Sequence, residues 1–284
     1  MRKLLTLLLA AILLVGCTSA SEASYITSLP DGDGVVVSGE GVTITYDDIY
    51  YYLLESYGAG TVLEEALLYI AQCEITDEDA IQEAIDSLVV DYETYMSMTI
   101  DEYAVYLGYP DGDTYIEEVI TSSAMNSLLT QKYIGENFDQ LVEDYQVKYL
   151  KVVEVDTESS ALTLISETTD VDAFDALVEE YEGSDYGIIT NQSYIDENIV
   201  AKLDSFTADG LYSDAILTST GTYALVYVYN TDLTDYVADV TDTLLYISDV
   251  VTLSEVHYLT TYEFSVYEGI IREEIEEYNT DYVG

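Results

Sequence analysis

Side chains able to do covalent or metal chemistry are few in this chain. It has one histidine, His257, and two cysteines, Cys17 and Cys73, against 56 Asp+Glu and 7 Lys+Arg in 284 residues. Cys17 ends the run Leu14-Val15-Gly16-Cys17. The small residue before it suits a peptidase cut, and its thiol is then the nucleophile that is alkylated to carry a lipid. Cys73 stands among Leu67, Leu68, Ile70 and Ile75. With no partner left it is expected as a buried small hydrophobe, not as half of a disulfide. Asp31-Gly32-Asp33-Gly34 and Asp111-Gly112-Asp113 are spaced like the start of a calcium loop, but the later ligands and the closing Glu are missing, so no metal site is expected. A glycine-rich phosphate loop, a Cys/His cluster and a serine elbow are all absent, and no cofactor is expected.

The surroundings of Cys17 set its compartment. Met1-Arg2-Lys3 is basic, and Leu4 to Val15 is an apolar run of signal-peptide length, too short to span a bilayer. Residues 1–16 read as a lipoprotein signal peptide, with Cys17 as the acylated first residue of the mature chain. An ordinary secretory signal with an incidental cysteine is the alternative. Residues 17–34, rich in Ser, Thr, Asp and Gly, read as a tether. The protein is thus expected outside the cytoplasm, anchored through Cys17 to the outer face of a bacterial cell membrane.

The formal net charge is −49. Such a field repels phosphate backbones and excludes nucleic acid as a partner. It serves as a solubilising surface, and it favours basic partners, divalent counter-ions or a salty milieu. Apolar residues make up 49% of the chain and recur at regular periods, so a folded core is expected. The aromatics are dominated by 30 Tyr, with 4 Phe and no Trp. Tyr joins apolar area to a polar tip, which suits half-buried core positions and peptide-contacting grooves.

Val35 to Ile44 predicts two short strands around a glycine turn. Four helix starts then carry Thr followed three residues later by an acid: Thr45/Asp48, Thr61/Glu64, Thr76/Asp79 and Thr99/Glu102. Such a pair can cap a helix reciprocally. The first helix is expected to bury Ile49 and Leu53 and to end near Gly58. The second is expected to bury Leu63, Leu67 and Ile70, and the third, about Asp77 to Met98, to present Ile81, Ile85, Leu88 and Tyr92. A short helix around Tyr103 to Leu107 and another from Thr114 follow. Val147 to Asp156 reads as a strand, the segment with Phe174, Leu177, Val178 and Tyr181 as a helix, and Thr222 to Tyr229 as a strand. Residues 231–284 return to helical spacing and contain His257, expected as a partly exposed helical side chain.

In that order, Val147-Lys148, Val152-Val153 with Asp156, the Phe174/Leu177/Tyr181 helix, Ser184-Asp185-Tyr186-Gly187, the stretch from Phe206 to Thr218 and the strand Thr222 to Val228 resemble a parvulin-type (rotamase) peptidyl-prolyl isomerase domain. Val42-Thr43-Ile44-Thr45-Tyr46-Asp47-Asp48-Ile49 resembles the opening of the chaperone region in PrsA-type and SurA-type folding factors. The resemblance implies an α+β fold. A helical chaperone domain, made of N-terminal helices (35–145) and a returning C-terminal helix (231–284), would hold an inserted parvulin-like α/β domain (146–230).

The resemblance also implies where a catalytic site would lie, and there the match fails. Lys151 stands where the family's first histidine belongs, the Tyr223–Ala224 strand lacks the second, and Ala215 replaces a proline. Lys151, Asp185 and Tyr223 are the polar groups at the matching positions. Twisting a prolyl amide calls for an apolar cradle and a polar network that favours the twisted state, over a barrier of about 18–20 kcal/mol. The expected function is a membrane-anchored foldase or chaperone for unfolded or partly folded secreted polypeptides, its isomerase residues lost. An active peptidyl-prolyl isomerase is one alternative, and an acidic cation- or ligand-binding surface lipoprotein is another.

Overall fold

A computed structural model describes residues 29–283 of the chain. The expected signal peptide, Cys17 and most of the expected tether lie outside the described residues. The architecture is α+β. In chain order it runs β1 (Val35–Gly39), β2 (Val42–Thr45), α1 (Tyr46–Glu74), α2 (Glu78–Met96), α3 (Ile100–Tyr106), α4 (Gly112–Tyr115), a π-helical turn (Ile116–Ile120), α5 (Thr121–Glu136) and α6 (Phe138–Asp144). It continues as β3 (Lys148–Val155), α7 (Glu158–Glu167), α8 (Val171–Glu180), β4 (Ser184–Ile189), α9 (Glu197–Val200), a 3-10 turn (Leu203–Ser205), β5 (Gly210–Leu211), β6 (Ile216–Leu217) and β7 (Tyr223–Tyr229). After β7 come α10 (Val237–Leu245), α11 (Ser248–Thr261) and α12 (Gly269–Tyr278), so the expected single C-terminal helix is a series of helices.

Contacts divide the chain into two units, one up to Cys73 together with Glu255–Gly284, the other Glu74–Ser254. In the first unit, β1 and β2 form an antiparallel two-stranded ribbon. Thr45 and Asp48 then cap α1 reciprocally, as their spacing predicts: the Asp48 backbone N–H donates to Thr45 Oγ1 at 3.2 Å and the Thr45 N–H to the Asp48 carboxylate at 2.8 Å. The helix does not stop at Gly58, and Thr61 does not open a new one; α1 runs unbroken to Glu74. Gly58 serves packing instead. A Cβ there would stand 3.1 Å from Ile271 Cγ1, so its absence lets α12 lie close against α1. The buried side chains of α1 are Leu54, Leu67, Ile70 and Ala71. Ile49 and Leu53 are 37% and 50% exposed, against the expected burial, and Cys73 is exposed as well.

In the second unit, α2 starts at a different cap from the expected one. Asp77, not Thr76, accepts from the backbone N–H groups of Asp79 and Ala80. Thr99 and Glu102 do form a capping box on α3. Ile85, Ala104, Tyr115, Ile120 and Ala124 make one core, with Ile81, Leu88 and Tyr92 packed on it. A second core joins Ile134, Leu141, Tyr145 and Val147 to Val240, Leu244 and Ile247 of the segment after β7.

The sheet has the order β4-β3-β7-β5, with β6 also on β7, and all its pairings are antiparallel. β3 and β7 carry apolar residues on both faces because both faces are covered. On one face Leu150, Val152, Ala224, Val226 and Val228 pack against Ile199, Leu203 and Phe206. On the other, Val153, Val155 and Leu225 pack under Phe174 and Ala161 of α8 and α7. Phe174 is fully buried, and burying such a side chain stabilises by roughly 1.5–3 kcal/mol. Gly183 brings α8 down onto the sheet edge, since a Cβ there would meet the Val152 carbonyl at 2.6 Å.

Candidate functional site

Lys151 lies on the central strand β3, on the face covered by α7 and α8. Alternation along β3 puts Leu150 and Val152 into one core and leaves Lys151 and Val153 facing the helices. Its ammonium pairs with Asp175 of α8, and Asp185 Oδ2 of β4 stands 3.8 Å away. Nζ also sits 5.4 Å from the centroid of the Tyr229 ring of β7. Tyr229 in turn donates its hydroxyl to Asp185 Oδ1 at 2.6 Å.

Asp185 is brought there by a β-bulge. Leu150 pairs with Gly187 but Lys151 pairs with Asp185, so Tyr186 drops out of the register and its carboxylate neighbour takes its place. The Gly187 N–H donates to Asp185 Oδ1 at 3.0 Å across the bulge, and Gly187 itself has φ +62°, a conformation suited to glycine.

Hydrogen bonding to Asp175, reinforced by the charges of Asp175 and Asp185, holds the Lys151 ammonium above its usual range against the opposing effect of burial. Burial raises the Tyr229 phenol, and its bond to Asp185 adds to the rise. A lysine kept this firmly protonated is neither base nor nucleophile at neutral pH. The phenol is likewise a fixed donor. The arrangement therefore neutralises charge and ties β3, β4, β7 and α8 together.

Of the three positions the sequence singles out, the structure joins Lys151 and Asp185. Tyr223 stays apart. It pairs with Val155, four residues along β3 from Lys151, roughly 13 Å at the strand rise. Its neighbour Ala224 is fully buried in the core on the opposite face of the sheet. Asp175 and Tyr229 were not legible as partners. The alternation Tyr223, Leu225, Tyr227, Tyr229 does put Tyr229 on the Lys151 side, but only the strand register brings it to Asp185. His257 is exposed on α11 with its ring 5.0 Å from that of Tyr258.

Tyr149 lies between Tyr229 and Tyr236, its ring tilted against both with centroids 5.3 and 5.2 Å away, and burial pushes its phenol up to about 12. Among the described residues no group of three His, Cys, Asp or Glu is placed to hold a metal ion. Asp111 instead caps α4, accepting from the Thr114 N–H at 2.8 Å. A depression of about 470 Å³ lies along Glu158, Ser159, Leu162, Thr163 and Ser166, all on α7 and none of them in the Lys151 cluster. Among the described residues no helix is long and apolar enough to cross a membrane.

The chain is similar in structure to PrsA foldases and to SurA-like chaperones. A PrsA peptidylprolyl isomerase structure from Bacillus cereus matches with a TM-score of 0.48 at 13% identity, covering 87% of this chain and 99% of the other. PrsA from Bacillus subtilis matches with a TM-score of 0.40 at 16% identity, covering 84% and 96%. A structure described for SurA-like chaperones of Campylobacter jejuni matches with a TM-score of 0.24 at 12% identity, covering 80% and 98%. No family model and no curated protein matches the chain.

Proposed function

We propose that this protein is an extracytoplasmic chaperone-foldase, held at the membrane through a lipid on Cys17, whose parvulin-like segment 146–230 has kept its scaffold and lost its catalysis. The observation that carries the reading is the state of Lys151. It occupies the position that the parvulin resemblance assigns to a histidine, and it is locked between Asp175 and Asp185 on an otherwise complete sheet. A site built for isomerisation needs polar groups free to follow the amide as it twists. Here they are engaged with one another.

In this reading residues 35–145 and 231–284 supply the helical chaperone part, and unfolded or partly folded secreted polypeptides are the clients. Two assays test it together. Stoichiometric protein should delay aggregation of a secreted client during refolding. In a protease-coupled proline-peptide assay the same preparation should leave relaxation near its uncatalysed time of roughly 10–100 s. Absence of protection would overturn the chaperone assignment, and clear acceleration would make the protein an active isomerase.

A further inference from the structure

The β1–β2 ribbon and the first half of α1 carry apolar surface that their own unit leaves uncovered. In the ribbon Val37 lies opposite Ile44 and Gly39 opposite Val42, so Val37, Val42 and Ile44 share one face, and all three are exposed. On α1, Ile49, Leu53 and Tyr57 recur every four residues in a single stripe, also exposed. A two-stranded ribbon with no covered face is marginal by itself. Its strands carry no Lys, Pro or other charge of the kind that blunts edge pairing; the one irregularity, at Val36, leaves Val37–Gly39 in register with Val42–Ile44.

Charge decides what covers this face. From Leu29 to Gln131 the chain has no Lys, Arg or His, while Glu40, Asp47, Asp48 and Glu55 occur within and around these elements. A second copy also carries −49 and is repelled. A cationic segment is drawn in.

We propose that the ribbon and the exposed stripe that follows it on α1 bind extended polypeptide segments that combine apolar side chains with Lys and Arg. The inference rests on the chaperone reading above and gives it a client class, basic and incompletely folded chains. Strand addition at the ribbon edge uses backbone hydrogen bonds that any sequence can make. The apolar stripe holds the side chains, and the acidic surroundings select the sign of charge.

The test uses two labelled peptides with identical apolar residues, one with Lys and one with Glu at the remaining positions. Each is titrated with the full chain, and fluorescence anisotropy is read at low and at high salt. The Lys peptide is expected to bind roughly tenfold or more tighter than the Glu peptide, with a preference that shrinks as salt rises. Ile49→Ser with Leu53→Ser alters only exposed positions and is expected to weaken the Lys peptide roughly tenfold, with Val42→Ser as an independent second variant.

Equal binding of the two peptides, or binding unchanged in both variants, overturns the proposal. So does a wild-type dimer, seen by sedimentation, that the Leu53→Ser change dissociates, because a second copy then owns the face. Client refolding separates this inference from its premise. If the wild type protects and the variants protect equally, the surface is wrong and the chaperone reading stands. If the wild type gives no protection but the variants lose the Lys peptide, the chaperone reading falls and the binding face is supported.

Discussion

Tyr229 reaches across the full width of β3 to donate its hydroxyl to Asp185, joining β7 to β4, two strands that do not pair with each other. Lys151 lies on the strand between them, paired with Asp185 and with Asp175 of α8. The cluster is thus a cross-sheet fastening, and it behaves as one unit: removing a member leaves charges that the others were placed to balance.

Lys151→Gln is expected to cost about 1–2 kcal/mol in urea denaturation, because Asp175 and Asp185 are then left facing each other without their cation, although both are half exposed and partly screened by water. Adding Asp175→Asn should recover much of that loss. The proline-peptide rate should not move in either variant. A drop in that rate on losing Lys151 would assign the residue to catalysis and contradict a purely structural role.

The buried tyrosines predict a distinct alkaline transition. Burial, with neighbouring tyrosines adding to it, pushes Tyr115 up to about 12, and burial does the same for Tyr149, while Tyr229 is moved in the same direction. Each folded value lies above the usual phenol range near 10. The stability from keeping these phenols protonated is therefore complete below about pH 10 and is lost as pH rises through about 12. Phenolate absorbance should show a late group of tyrosines ionising together with unfolding. One smooth transition near pH 10 in a chain that is still folded by circular dichroism would contradict this.

Helix caps give a matched set of substitutions. Thr99→Ala removes a formed capping box and is expected to cost about 1 kcal/mol by urea midpoint. Asp77→Ala should cost a similar amount, since its carboxylate accepts from two backbone N–H groups. Thr61→Ala should be neutral or stabilise by a few tenths of a kcal/mol, because Thr61 lies inside α1, where alanine is the better helix former.

These contrasts show which parts of the fold are legible in the sequence. Thr45/Asp48 and Thr99/Glu102 are legible because a capping box is local chemistry, complete within four residues. Thr61/Glu64 has the same letters, yet α1 runs through it: the close approach of Ile271 gives Gly58 a packing role, and that contact joins residues more than two hundred positions apart. Thr76 was displaced by the better acceptor next to it. β3 and β7 were visible as apolar runs because both faces are buried. The Lys151 cluster was half visible. Lys151 and Asp185 fall on motif positions, whereas Asp175 and Tyr229 join them only through a bulge and a strand order that no short stretch encodes.

Cys73 offers a direct check on another contrast. Its apolar neighbours in sequence suggested burial, but at helical spacing Ile70 and Ala71 take the inward positions and Cys73 is exposed. A thiol reagent such as dithionitrobenzoate should modify it in the native chain at nearly the rate seen in denaturant. Strong protection that disappears on unfolding would place the side chain in a core after all.

The π-helical turn Ile116–Ile120 has a further consequence. The Ile116 carbonyl accepts both the Thr121 backbone N–H of the widened turn and the Thr121 hydroxyl, the latter at 2.8 Å. Tyr115 before it, Ile120 at its end and Ala124 beyond it all belong to the core around Ile85, while Ile134, further along α5, belongs to the core around Val240 and Leu244. A π turn holds one residue more than the α-helical turn it replaces, so it sets the phase at which Ala124 and, further along the same helix, Ile134 meet their two cores. Deleting a single residue there would restore regular winding and rotate everything beyond it by about 100°. Ala124 and Ile134 would then both swing away from their clusters. The helix works as a camshaft, and its timing is set by one extra residue.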